Sequence, residues 1–96
     1  MHYLLRYKTA PDYLERRTRF REEHLRVARL AAERDGLLFG GAVGEPIDGA
    51  LLLWEGDSPD AAIAFARADP YVINGVVESW EVTVWHTVVG RAMPNA

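Results

Sequence analysis

A chain of 96 residues, 49% hydrophobic and 26% charged, has apolar material for one core and too little length for two, which excludes both disorder and a multidomain enzyme. A net charge of −3 leaves no basic excess for a nucleic-acid backbone, although ten of the eleven basic residues are arginine. The absence of cysteine excludes a disulfide framework, thiolate catalysis and cysteine-ligated metal.

In chain order, Met1 to Tyr7 reads as a first strand, bounded by the turn-forming stretch Thr9-Ala10-Pro11-Asp12. Tyr13 to Asp35 has helical period and no glycine or proline, and Asp35-Gly36 ends it. Leu37 to Val43, carrying Gly40-Gly41, and Ala50 to Glu55 read as a hairpin across the turn Gly44 to Gly49. Ser58-Pro59-Asp60 is a strong helix start, with a serine oxygen for free amides and a proline preset for the first helical position. That second helix ends near Asp69-Pro70. A short helical turn and loop cover Tyr71 to Gly75, and Ser79 to Val89 reads as the last strand. Residues 1–90 form the expected domain, with 91–96 a frayed tail. The longest apolar run, Ala50 to Trp54, is far short of a membrane span, and no apolar secretory core opens the chain. A cytoplasmic protein with neither membrane nor nucleic-acid partner is the expectation.

The order βαββαβ is the α+β, ferredoxin-like arrangement, four antiparallel strands carrying two helices on one face. Leu51 and Leu53 point opposite to Ala50, Leu52 and Trp54 in the third strand. In the last strand, Val82, Val84 and Val88 oppose Trp85 and Val89. Helices bury only one such face. The uncovered one predicts a homodimer with two sheets packed face to face.

His24 stands at the centre of an apolar helical stripe. At roughly 100° per residue, Phe20, Val27, Ala28 and Ala31 fall within about 60° of it. A ring that faces inward with a pKa near neutrality either finds hydrogen-bond partners or serves chemistry. The plain alternative is a core histidine satisfied by a backbone carbonyl. Arg21, three residues earlier, shares that side and could hold a carboxylate or enolate oxygen; pairing with Glu22, Glu23 or Asp12 competes. In Asp69-Pro70-Tyr71 the proline disfavours the α conformation for Asp69, which places the carboxylate at a turn beyond the second helix. Helices lying side by side on the sheet leave contact between Asp69 and the His24 face open. Such contact would fix the imidazole tautomer and raise its basicity. Gly40 and Gly41 suit either close backbone approach to a ligand or a bulge. Tyr7, Trp54 and Tyr71 suit an aromatic-binding pocket or plain core. His2 and His86 show no metal-ligand spacing to His24, so no metal site is expected.

Taken together, the opening strand, Pro11-Asp12-Tyr13-Leu14-Glu15-Arg16-Arg17, Arg21-Glu22-Glu23-His24-Leu25, Gly40-Gly41, Asp48-Gly49-Ala50 and Asp69-Pro70-Tyr71 with Gly75 resemble the YciI-like (YCII-related) family. The resemblance runs to about Val89. It implies a dimeric α/β-barrel of ferredoxin-like subunits and a histidine–aspartate pair in a pocket, at His24 and Asp69 here. One relative eliminates chloride from a chlorinated hydroxyhydroquinone.

The expectation is a small acid/base enzyme of lyase, dehydrochlorinase or isomerase type, acting without metal or organic cofactor on a cyclic or aromatic small molecule. His24 would move a proton, Asp69 would orient it, and Arg21 would steady charge on a substrate oxygen. Tyr7, Gly40, Gly41 and Tyr71 complete the expected binding site. Two alternatives stay open: a non-catalytic ligand-binding or dimeric interaction module, and a cofactor-independent oxygenase.

Overall fold

The computed structural model describes residues 1–91; of the expected tail only Arg91 falls within them. The elements run β1 (His2–Thr9), α1 (Tyr13–Arg34), β2 (Leu37–Val43), β3 (Gly49–Glu55), α2 (Asp60–Ala68), α3 (Pro70–Ile73) and β4 (Val77–Trp85). This is an α+β fold with one four-stranded antiparallel sheet, in the order β2-β3-β1-β4, and three helices.

β1 lies between β3 and β4, and its alternation sets the two faces of the sheet. Tyr3, Leu5, Tyr7 and Thr9 are buried, whereas His2, Leu4, Arg6 and Lys8 are not. Leu52 and Trp54 of β3 stand on the buried side beside Leu5 and Tyr3. Against them pack Tyr13 and Ala31 of α1, Ala62, Phe65 and Ala66 of α2, and Tyr71 of α3. Phe20, Val27 and Ala28 of the α1 stripe lie half-buried on this core.

Several boundaries differ from those expected. β1 runs on to Thr9, paired past a register shift with Val77 of β4. Strand β4 starts at Val77 and stops at Trp85, so Val88 and Val89 lie beyond it rather than on its two faces, at 71% and 80% exposure. Trp85 pairs with His2, the first residue of β1, so among the described residues β1 offers no strand partner beyond it. Helix α2 begins at Asp60 with Pro59 at the cap, one residue later than the proline-first start; Ser58 Oγ still accepts from Asp60 N at 3.3 Å. The irregularity in β2 falls between Leu37 and Phe39, not at the glycine pair. Among the described residues no helix is long and apolar enough to cross a membrane.

Candidate functional site

Asp69 ends α2 and starts α3. Proline at the next position holds it extended (φ −67°, ψ 123°), and its side chain turns back to accept from Tyr71 N at 3.0 Å. The same oxygen, Oδ1, lies 2.8 Å from His24 Nδ1, and Tyr7 donates its hydroxyl to Oδ2 at 2.6 Å. Asp69 is fully buried, so these three groups replace the water its carboxylate would otherwise hold. Because both oxygens already accept hydrogen bonds, the network assigns the proton between His24 and Asp69 to Nδ1. Nε2 is then the free, lone-pair nitrogen of His24.

Stacking fixes the imidazole plane. Its ring centroid lies 3.9 Å from that of Tyr71 at an interplanar angle of 5°, and 6.4 Å from that of Phe65 in an edge-to-face arrangement. Arg16 clamps the far end of α3, donating to the carbonyls of Asn74 and Gly75. Gly75 sits at φ +71°, a left-handed turn that glycine adopts without strain.

A cavity of about 280 Å³ opens beside this pair. Helix α1 contributes Tyr13, Arg17, Arg21 and His24 to its wall, the sheet contributes Tyr7, Gly40, Gly41 and Leu52, and α3 contributes Tyr71. A Cβ at Gly40 would stand 2.9 Å from Leu52 Cγ, so close packing on Leu52 explains this glycine; nothing lies within 4 Å of the corresponding position at Gly41. Burial, then the Asp69 charge, then the hydrogen bond to Asp69 push the Tyr7 phenol up from its ordinary 10.0. Burial and Tyr13 also push Tyr71 up, with Arg21 and Arg17 opposing. The Tyr71 hydroxyl is buried, and Arg21 approaches it without completing a hydrogen bond.

The structure thus brings His24, Asp69, Tyr7 and Tyr71 into contact and sets Arg21, Gly40 and Gly41 on the cavity wall. The Tyr7 hydroxyl is committed to Asp69, leaving its ring to line the cavity. Trp54 is core, 2% exposed and away from that wall. Sequence reasoning missed Tyr13 and Arg17. Successive steps of four residues, from Tyr13 to Arg17 and from Arg17 to Arg21, are the signal that places all three on one face of α1. Among the described residues no three His, Asp or Glu side chains gather where they could hold a metal ion.

The fold is similar to that of 5-chloro-2-hydroxyhydroquinone dehydrochlorinase from Burkholderia phenoliruptrix AC1100, solved with 2,5-dihydroxybenzoquinone, at TM-score 0.73 and 24% identity over 88% of this chain and 93% of that one. It is also similar to Rv0793 from Mycobacterium tuberculosis (TM-score 0.53, 15% identity, 94% and 96% covered). A third similar structure is a NIPSNAP family protein from Agrobacterium tumefaciens C58 (TM-score 0.52, 16% identity, 85% and 87% covered). No curated protein sequence matches the chain. Residues 1–86 match the YCII-related domain, nine-tenths of the sequence, and the chain belongs to that family.

Proposed function

We propose that the protein is a small acid/base enzyme, of lyase, dehydrochlorinase or isomerase type, acting on a cyclic or aromatic small molecule. The observation that carries this reading is the 2.8 Å contact of His24 Nδ1 with a fully buried Asp69, on the wall of a cavity. Asp69 holds the Nδ1 proton and steadies the imidazolium formed when Nε2 takes a proton from the substrate. Arg21 steadies charge that develops on a substrate oxygen. A cavity of about 280 Å³ suits one ring with its substituents, given that an engineered cavity of about 150 Å³ takes up benzene. The dehydrochlorinase of similar fold holds such a ring, 2,5-dihydroxybenzoquinone.

No step in this scheme calls on a metal or an organic cofactor. The working unit in the proposal is a homodimer joined through the outer face of the sheet, where Phe39 is 70% exposed beside Leu51 and Leu53.

Chloride release from 5-chloro-2-hydroxyhydroquinone, with ring-proton exchange in related hydroquinones, tests the chemistry. His24→Ala is expected to lower turnover by about 10² to 10⁴, the usual share of a positioned base. A loss below about tenfold removes His24 from that role. Asp69→Asn separates an enzyme from a binding module: turnover falls with ligand binding retained in the first case, and only affinity moves in the second.

A further inference from the structure

Three polar groups of the cavity wall neither hold nor move the proton at His24. The Tyr71 hydroxyl is one of them. The residue is 2% exposed and lines the cavity, and its oxygen has no hydrogen-bond partner among the described residues. Buried hydroxyls of this kind normally have one. The other two are Arg17 and Arg21. Among the described residues neither guanidinium is ion-paired, whereas the neighbouring Arg16 and Arg26 pair with Asp12 and Glu23. Arg17 is held over the Tyr13 ring, 5.5 Å from its centroid.

Among the described residues no Asp or Glu lines this cavity, in a protein whose net charge is −3. Asp69 stands behind His24 with both oxygens already engaged. The wall is therefore locally cationic. An unpartnered phenol that remains protonated adds a neutral donor to two charged forks. Along the helix axis, Arg21 lies about 4.5 Å and Arg17 about 10.5 Å from His24, at about 1.5 Å per residue. One ring bearing an acid group spans such an interval.

We infer that Tyr71, Arg17 and Arg21 form an anion subsite, and that the cavity selects a single-ring carboxylate whose acid group lies there while its ring reaches His24. A planar carboxylate matches the paired donors of a guanidinium and accepts the phenol proton on its remaining lone pair. The inference rests on the reading of this cavity as the ligand site, and it is independent of the chemistry at His24.

Calorimetric titration of the intact protein with benzoate, and with benzamide as the uncharged ligand of the same shape, tests it. Benzoate is expected to bind about tenfold tighter or better, as for a hydrogen bond to a charged group. The preference should disappear in the double variant Arg17→Met, Arg21→Met, whose changes sit on the accessible side of α1. Tyr71→Phe should weaken benzoate severalfold and benzamide, a neutral acceptor, by less. Equal affinity for the two ligands, unaltered benzoate binding in the double variant, or no benzoate binding at millimolar concentration overturns the subsite. A His24→Ala variant that keeps turnover while the benzoate preference persists overturns only the proposed chemistry.

Discussion

Asp69 has no access to water, so its charge depends on Tyr7, His24 and the Tyr71 amide. Replacement by alanine strands a buried hydroxyl and a buried amide, and is expected to cost about 3–5 kcal/mol in urea unfolding, the range for removing one partner of a buried pair. Asp69→Asn keeps the shape and loses one acceptor oxygen, at about 1–3 kcal/mol. Equal costs would show that the retained shape and single oxygen of asparagine contribute nothing at this position. Tyr7 adds a pH dependence. Its proton is bound more tightly in the folded chain than in the unfolded one, where the phenol titrates near 10.0. The stability linked to it is complete below that pH and shrinks as pH rises beyond it. Between about pH 8 and 11 the wild-type chain should lose more unfolding free energy than Tyr7→Phe; parallel losses would refute the linkage. The inward aim of His24 was legible from helical period, and the turn at Asp69 from the proline after it. The bond from Tyr7 to Asp69 was not, because 62 residues separate the two and no local pattern records their meeting.

Strand β2 shows how an element can serve a cavity through what it lacks. Gly40 faces Leu52, where a Cβ would stand 2.9 Å from Cγ, so Gly40→Ala must displace the Leu52 side chain, which itself lines the cavity. The expected result is a loss of about 1–3 kcal/mol in stability, as for overpacking, together with weaker ligand binding. Gly41→Ala meets no atom within 4 Å and serves as the control. Should both variants match the wild type in melting temperature and binding, the packing account of Gly40 fails. The glycine pair was visible as a departure from strand composition, with ligand approach and a bulge as its two readings. Contact with Leu52 on the paired strand is what distinguishes Gly40 from its neighbour. Pairing also explains the end of β4: alternation of apolar residues continues to Val89, but hydrogen bonding to β1 ends at Trp85.

The sheet has one face under helices and one that no helix or strand among the described residues covers. On the open face Phe39 is 70%, Leu51 38% and Trp85 46% exposed, with Arg6 and Lys8 toward the other end of β1. The proposed homodimer is tested by analytical ultracentrifugation. The wild-type chain should sediment at twice 10.8 kDa, and Phe39→Arg with Leu51→Arg should shift it to the monomer mass. A wild-type species at 10.8 kDa overturns the dimer.

By itself the sequence determined the succession of strands and helices, the face of α1 that turns inward, and the break between α2 and α3. These follow from interactions within a few residues: side-chain period, capping, and the restriction that proline imposes. Only the tertiary structure decided that β1 lies between β3 and β4, which sets Tyr7 beneath Asp69, and that α1 crosses α3 so that His24 stacks on Tyr71 with Arg17 and Arg21 alongside. Those contacts join segments tens of residues apart. Their energy comes from burial and mutual hydrogen bonding in the assembled core, which leaves no periodic trace along the chain.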